Sequence, residues 1–207
     1  MEPEKTYHLY THANGFENLF RAQENYWYFL QRYQHFIEPV AHTLAYCLMP
    51  NHIHFLITIK SEAEIETAFK TSQTSEVSTR KQQDLGGLSS VEKRISQQFS
   101  NLFNAYSKAF NKMYKRRGSL FIPNFKRKEI ETDQHLTRLI LYIHGNPVHH
   151  GFVKNITDWA WSSYHEILSD NKSTWLKREE IINWFGNEQE FIRFHQQRIE
   201  IKTFGVF

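Results

Sequence analysis

Residues 41–59 read AHTLAYCLMPNHIHFLITI and carry the strongest structural signal in the chain. Two apolar runs, Ala41–Leu48 and His54–Ile59, lie on either side of the turn-forming residues Met49-Pro50-Asn51. Short apolar runs that flank a turn predict neighbouring strands of one sheet. The triplet His52-Ile53-His54 opens the second strand and places two imidazoles at its start.

The segments around this pair predict strands and helices in an irregular order. Pro147 is expected to end the helix that begins at Asp133, because proline lacks the amide hydrogen that a helix interior needs. Strands and helices that mix without regular alternation favour an α+β fold, with an antiparallel sheet covered by helices on one face. We expect extended segments at Lys5–Thr11 and Ser119–Phe125, and helices at Phe16–Ile37, Ser61–Lys70, Ile95–Met113, Asp133–Gly145, Lys177–Phe185 and Glu188–Gln197.

Length and composition indicate one domain, or one domain with an appendage. The 207 residues include a single cysteine, Cys47, which excludes a disulfide framework and a cysteine-rich zinc site. We expect residues 1–168 to form the main domain, residues 71–91 to be a flexible polar insertion within it, and residues 169–207 to form a C-terminal helical extension. No apolar stretch approaches the roughly 18 residues of a membrane span, and no signal sequence is recognised, so we expect a soluble, cytoplasmic protein.

Basic residues are concentrated in one segment. The net charge is only +3, but no acidic residue occurs between Lys93 and Lys128. A one-sided basic segment indicates a polyanionic partner, although a solvated helix face is the simpler alternative. Aromatic residues that could stack on unpaired bases are Tyr10, Tyr114 and Phe121. The candidate DNA-binding residues are Lys108, Lys112, Lys115, Arg116, Arg117, Lys126, Arg127, Lys128 and, in the helix that follows, Arg138.

His52 and His54 are two positions apart on a predicted strand. Because strand side chains alternate, both imidazoles leave the same face, about 6–7 Å apart, and Ile53 points into the core. Two neutral imidazoles suit Mn²⁺, Zn²⁺, Fe²⁺ or Ni²⁺, whereas Mg²⁺ favours an oxygen ligand beside them. The pattern predicts a metal site or, more simply, a pair of surface histidines at a strand edge.

Tyr142 and Asn146 are four positions apart on a predicted helix and therefore lie on one face of it. The helical periodicity places Tyr142 about 100° to the side of the apolar stripe, near Asn146, Arg138 and His135. An aromatic residue beside an amide and a guanidinium indicates a functional site, but a tyrosine that packs its ring at the rim of the core is the simpler alternative.

The two motifs together would form a catalytic site for phosphodiester chemistry. A metal held by His52 and His54, with the Oδ1 atom of Asn146 as a third ligand, would stabilise charge on a phosphodiester while the Tyr142 hydroxyl attacks. The product would be a covalent phosphotyrosine and a free hydroxyl on the other DNA end. Because the bond energy is retained, the step would reverse onto another strand, which is strand transfer and not hydrolysis.

Four stretches resemble motifs of the REP-associated tyrosine transposases, a branch of the single-tyrosine HUH transposases. The resemblance extends from Tyr7 to Tyr164, and its two central motifs occur in the order that the family has. The stretches are Tyr7-His8-Leu9-Tyr10, residues 45–54 (AYCLMPNHIH), residues 142–148 (YIHGNPV) and Trp161-Ser162-Ser163-Tyr164.

The resemblance implies a ferredoxin-like sheet, a divalent metal (Mg²⁺ or Mn²⁺), and cleavage of single-stranded DNA near palindromic hairpins through a 5′-phosphotyrosine. His52 and His54 match the metal ligands, and Tyr142 matches the nucleophile. Asn146 stands where the wider group often has a glutamine as the third ligand. Some relatives are homodimers that exchange their nucleophile helices, and for this chain both such a homodimer and a monomer that acts alone stay open.

Two other functions remain open at this point. The chain could be a catalytically inactive regulator of the same fold that binds DNA hairpins. It could also be a metal-dependent phosphodiesterase that uses His52 and His54 but not Tyr142. A covalent adduct between protein and DNA distinguishes the transposase from both.

Overall fold

The computed structural model describes residues 1–72, 89–169 and 174–197. None of the helices in these ranges has the length and apolar character that crossing a membrane requires. A short 3₁₀ turn at Ile156–Asp158 lies between α4 and α5. The elements are β1 (Thr6–His12), α1 (Gln23–Ile37), β2 (Ala41–Leu48), β3 (His52–Ile59), α2 (Glu62–Ser72), α3 (Ser90–Met113), β4 (Lys126–Ile130), α4 (Asp133–His149), α5 (Tyr164–Ile167), α6 (Arg178–Phe185) and α7 (Glu188–Gln196).

The four strands form one sheet in the order β2-β3-β1-β4, and all three pairings are antiparallel. The chain crosses through α1 between β1 and β2, turns directly from β2 into β3, and crosses through α3 before β4. This is the ferredoxin-like arrangement, so the predicted α+β fold with an antiparallel sheet is confirmed.

The two faces of the sheet have different coverings. Leu9, Ile53 and Phe55 line one face together with Phe29 of α1 and Phe99 of α3, as the prediction of helices on one face required. The opposite face carries the imidazoles of His8, His12, His52 and His54 together with Tyr10, and we call it the histidine face. Helix α4 covers part of the histidine face through contacts with β2 and β3. Helices therefore lie on both faces, because the apolar stripe of α4 also needs a surface to pack on.

Helix α4 continues past Pro147 to His149, so the prediction that Pro147 ends the helix is wrong. Proline costs a helix only one hydrogen bond when it lies in the last turn, and the amide of His150 still bonds to the carbonyl of Asn146. The helix ends before Gly151, whose φ of 73° favours glycine. Thr132 caps its start through a hydrogen bond from the amide of His135. The longer helix keeps Tyr142 and Asn146 on one continuous face.

The fourth strand lies at Lys126–Ile130 and not in the predicted extended segment Ser119–Phe125. Its sequence, KRKEI, has no apolar run, which is why a search for apolar runs misses it. Lysine-rich strands are typical of sheet edges, where charge prevents pairing with another chain. Among the strands of the described residues, β4 pairs with β1 alone and forms such an edge.

Two other predicted segments differ from the structure at their ends. Helix α1 begins at Gln23 and not at Phe16, because the amides of Leu19 and Phe20 bond to the carbonyl of Pro50. Of the predicted insertion at 71–91, residues 71–72 end α2 and residues 90–91 begin α3. Residues 73–88 lie outside the described residues.

The C-terminal helices are joined to α4 by a buried chain of hydrogen bonds that has one consistent proton arrangement. His195 Nδ1 donates to the carbonyl of Phe191 at 2.7 Å, so its Nε2 accepts from His144 Nδ1 at 2.8 Å. His144 Nε2 then accepts from the hydroxyl of Ser163 at 2.7 Å, and that hydroxyl accepts from the amide of Tyr46 at 2.9 Å. This chain, which we call the histidine relay, fastens α7 through α4 to β2.

Replacing His195 with Ala is expected to destabilise the protein by about 2–4 kcal/mol, because it leaves the His144 N–H unpaired and opens a cavity. Burial lowers the pKa of His195 to about 4 and that of His144 well below its usual range. The unfolded chain takes up protons below about pH 6.5, whereas the native relay does not, so the free energy of unfolding of the wild type falls as the pH drops from 6.5 towards 4.

The measurement is chemical denaturation of the wild type and of His195→Ala at several pH values. The free energy of unfolding should change less steeply with pH in the variant than in the wild type. The difference in slope is the contribution of one proton, roughly 1.4 kcal/mol per pH unit. His165→Ala is the matched control, because His165 is exposed and its side chain hydrogen-bonds, among the described residues, to the carbonyl of Thr157 alone. A variant as stable as this control would show that the relay does not brace α4.

Candidate metal and nucleophile site

His52 and His54 lie side by side on the histidine face. Their ring centroids are 5.2 Å apart and the ring planes are nearly perpendicular, at 88°. The two residues are only 3% and 2% exposed, which excludes the simpler alternative of two surface histidines. Ile53 between them points to the opposite face, towards α1 and α3, as strand alternation predicts.

Both imidazoles are held from the Nδ1 side. His52 Nδ1 lies 2.8 Å from the side-chain oxygen of Asn51, which can only accept, so His52 donates and its Nε2 keeps a lone pair. His54 Nδ1 lies 3.0 Å from Nε2 of His8. Burial lowers the pKa of His52 to about 3 and that of His54 well below its usual range. Both rings are therefore neutral at pH 7, as metal ligation requires.

Tyr142 lies on α4 and packs against His54 and His8. Its ring is 5.6 Å from that of His54 and 6.2 Å from that of His8, and it meets both edge to face. The residue is 2% exposed, so it does not lie on a solvent-facing flank of the helix as the periodicity suggested, because that flank packs on the sheet. Burial raises the pKa of the Tyr142 hydroxyl, and the neighbouring Asn146 side chain opposes this rise.

Asn146 lies one turn after Tyr142 and is 1% exposed. Its side-chain nitrogen donates to the carbonyl of Tyr142 at 2.9 Å. Its Oδ1 is buried beside the His52 side chain and has no donor within the described part of the chain, because neutral His52 gives its one N–H to Asn51. A buried amide oxygen without a donor is unfavourable unless another group binds it, and a cation is such a group.

These residues fit a divalent cation. In residues 1–72, 89–169 and 174–197, no three His, Cys, Asp or Glu side chains are grouped so that they could hold a metal ion. A third protein ligand for a metal on His52 and His54 would be of another kind, and the unsatisfied Oδ1 of Asn146 lies beside His52. Two imidazoles and one oxygen suit Mn²⁺, and they suit Mg²⁺ when water or phosphate supplies more oxygens.

Three further histidines surround the pair and were not predicted as part of the site. His8 bonds to His54, His12 stacks on His52 with ring centroids 4.8 Å apart, and His150 meets His52 edge to face at 4.9 Å. His8 and His12 share the alternation of β1, so a predicted pairing of β1 with β3 would have found them. His150 follows Asn146 at the same spacing at which Asn146 follows Tyr142, and that spacing is the signal that could have found it.

The predicted DNA-binding residues of β4 separate onto the two faces of the sheet. Lys126 pairs with Tyr10 and Lys128 pairs with His8, so both lysines share the histidine face, where they are exposed. Arg127 lies on the opposite face, in a surface groove that Phe103 and Phe125 also line. Strand alternation therefore gives β4 two cations beside the site and one that points away from it.

The cations at the end of α3 lie near the end of the sheet that carries His12 and His52. The loop after α3 is bonded to the end of β1, through Asn14 N to Leu120 O and Ile122 N to His12 O. Lys108, Lys112, Lys115 and Arg117 are exposed, and so is Arg138 one turn before Tyr142 on α4.

Arg116 has a structural role instead. Its Nε lies 2.7 Å from a carboxylate oxygen of Glu17, and its other nitrogens bond to Asn111 and to carbonyls of the loop. We therefore leave Arg116 out of the proposed DNA surface.

Of the three aromatic residues considered for base stacking, two have other partners. Phe121 is 7% exposed and packs on Phe103, and the hydroxyl of Tyr114 donates to Asn25. Tyr10 is half-buried on the histidine face, with its ring 5.9 Å from that of His54.

Comparisons with known proteins bear on this geometry. No family model matches the chain. A curated relative from Haemophilus influenzae, named as a REP-associated tyrosine transposase, is 26% identical over 125 residues, which are 59% of this chain and 58% of that protein. The chain thus matches little more than half of the relative's length. A solved structure of a REP-associated tyrosine transposase bound to a REP hairpin has a TM-score of 0.53 and 17% identity, over 84% of this chain and 85% of that one. This chain is therefore similar to REP-associated tyrosine transposases in sequence and in fold, which confirms the resemblance that its motifs indicated.

Proposed function

We propose that this protein nicks and rejoins single-stranded DNA near hairpins, through a covalent 5′-phosphotyrosine that Tyr142 forms in a metal-dependent reaction. The observation that carries the proposal is the approach of Tyr142 to His54, with 5.6 Å between ring centroids, together with the unsatisfied Oδ1 of Asn146 beside His52. A tyrosine, two neutral imidazoles and an amide oxygen have no evident structural need to meet there.

The ligands in this proposal are His52 Nε2, His54 Nε2 and Asn146 Oδ1. A divalent cation supplies Lewis-acid chemistry when bound, since it stabilises the negative charge that develops on phosphate oxygens. The protein's part is to keep both imidazoles neutral, through burial, and to hold their Nδ1 atoms in hydrogen bonds so that the rings do not turn.

Tyr142 acts as the nucleophile. Its oxygen forms a bond to the phosphorus atom, and the bond from phosphorus to the 3′ oxygen of the leaving strand breaks. The proton that tyrosine loses balances the one that the new 3′-hydroxyl gains. The phosphotyrosine ester retains the energy of the broken bond, so a 3′-hydroxyl from another strand can reverse the step. The edge-to-face packing against His8 and His54 holds the ring in one orientation for attack.

The proposed DNA partner is a single strand beside a palindromic hairpin. The solved structure that shares this fold is bound to a REP hairpin, and we extend that class of DNA to this chain. Lys126 and Lys128 support the extension, because they place two exposed cations on the face that carries Tyr142's partner His54.

Replacing Lys126 and Lys128 with Gln is expected to weaken hairpin binding and to lower its salt dependence. For a single strand, each phosphate that a lysine no longer neutralises reduces the slope of log K against log salt concentration by about 0.7, so the double variant should reduce it by about 1.4. The measurement is fluorescence anisotropy of a labelled hairpin with a single-stranded flank, titrated over a series of KCl concentrations.

Arg127→Gln is the matched control, because Arg127 lies between the two lysines in sequence but on the other face of the sheet. It should change the slope little. If Arg127→Gln lowers the slope as much as the double variant does, the DNA does not lie on the histidine face.

The function itself is tested with the wild-type chain, Mn²⁺ and a hairpin oligonucleotide that carries single-stranded flanks. The proposal expects a protein–DNA adduct that survives denaturing electrophoresis and a released fragment that ends in a 3′-hydroxyl. Hairpin binding without cleavage would favour the inactive regulator, and cleavage without an adduct would favour the phosphodiesterase. Either result would overturn the proposal.

A further inference from the structure

His8 is a buried imidazole of β1 that is neither a proposed metal ligand nor the proposed nucleophile. It is 1% exposed, and its Nε2 lies 3.0 Å from Nδ1 of His54. The two rings are nearly parallel, at 17°, with centroids 5.2 Å apart. Because β1 and β3 are paired with His8 opposite Leu56 and Tyr10 opposite His54, the contact is a diagonal one across the sheet. The register of the whole β1–β3 pair therefore fixes it.

The chemistry of this contact allows two proton arrangements with different consequences. Both rings are buried, and the facing nitrogens are 3.0 Å apart, the distance of a hydrogen bond. One of the two nitrogens must therefore donate and the other accept, so a single hydrogen lies between them. If His8 donates that proton, Nε2 of His54 carries a hydrogen and cannot bind a metal. If His8 accepts, the lone pair on Nε2 of His54 is available.

We propose that His8 is a positioning residue for the metal ligand His54, in which His8 Nε2 accepts the Nδ1–H of His54 and so holds the tautomer that leaves Nε2 of His54 able to bind a cation. This role rests on the proposed metal site. The other proposed ligand, His52, is held in the same way by a different acceptor, since His52 Nδ1 donates to Asn51 Oδ1 at 2.8 Å. Metal-binding histidines in general donate their other N–H to an acceptor, which orients the ring and fixes its tautomer.

The first test measures Mn²⁺ binding to the full chain without DNA, by isothermal titration calorimetry. His8→Phe keeps a planar ring but has no acceptor, and it should bind Mn²⁺ about 10–100-fold more weakly than the wild type. His8→Gln can place its amide oxygen near the position of Nε2, and it should bind close to the wild-type value. His35→Phe, a change at an exposed histidine on α1, should have no effect.

The outcomes separate this role from the metal site on which it rests. A wild type that binds no Mn²⁺ overturns the metal site and this role with it. A wild type that binds, with His8→Phe equal to it, overturns only the role of His8. Equal losses in His8→Phe and His8→Gln would show that His8 fills space and does not act through its acceptor.

A second measurement needs no variant and decides the matter if His8→Phe fails to fold. Long-range ¹H–¹⁵N spectra of the metal-free wild type identify which ring nitrogen of each histidine is protonated. The proposal expects Nδ1 of His54 to carry the hydrogen and Nε2 to be bare. A hydrogen on Nε2 of His54 overturns it.

Discussion

Replacing Tyr142 with Phe is expected to abolish the covalent protein–DNA adduct and the nicked product while the hairpin still binds. The reason is that phenylalanine keeps the ring that packs edge to face on His54 and His8 and removes only the attacking oxygen. Tyr142 is also the one tyrosine on α4. The measurement is denaturing electrophoresis of the reaction with a labelled hairpin, together with anisotropy to follow binding.

The matched control is Tyr10→Phe. Tyr10 is a second tyrosine on the histidine face, half-buried, with its ring 5.9 Å from that of His54. Phenylalanine at position 10 keeps the ring and removes the oxygen, so the adduct should form as in the wild type. If Tyr10→Phe loses the adduct and Tyr142→Phe keeps it, Tyr10 is the nucleophile and the assignment of Tyr142 is wrong.

Local rules predicted the parts of the site that depend on one element. Strand alternation placed His52 and His54 on one face of the sheet. Helical spacing placed Tyr142 and Asn146 on one face of their helix. These rules work because the geometry of two neighbouring positions on an element needs no knowledge of the rest of the fold. The approach of the two motifs to each other came from the resemblance and not from spacing.

The parts that the sequence did not predict depend on tertiary packing. His8 meets His54 only because β1 pairs with β3 in one register, and a shift of one residue would turn His8 to the other face. The burial of Tyr142 depends on the sheet below α4, which periodicity within the helix cannot report. The relay of His144 and His195 joins residues 51 positions apart, so no local pattern predicts it. β4 was missed because a charged edge strand lacks the apolar signal of an interior one.

Replacing His52 or His54 with Ala is expected to abolish both Mn²⁺ binding and cleavage. Each change removes one of three proposed protein ligands, so the loss of Mn²⁺ affinity should exceed the roughly 10–100-fold that the loss of a residue behind a ligand costs. Asn146→Ala should weaken Mn²⁺ binding as well, since it removes the unsatisfied Oδ1. Chelation of the metal should stop cleavage by the wild type, and added Mn²⁺ should restore it.

His150→Ala is the matched control for the ligand set. The His150 ring lies 4.9 Å from that of His52, nearer than the 5.6 Å that separates Tyr142 from His54, yet His150 is exposed and is not a proposed ligand. If distance to His52 alone decided ligation, His150→Ala would lose Mn²⁺ as His54→Ala does. If the buried oxygen of Asn146 completes the site instead, His150→Ala should bind Mn²⁺ like the wild type. Calorimetry on His54→Ala, Asn146→Ala and His150→Ala therefore distinguishes a site made of two imidazoles and an amide from a site made of three imidazoles. Only the first kind of site agrees with the unsatisfied oxygen on α4.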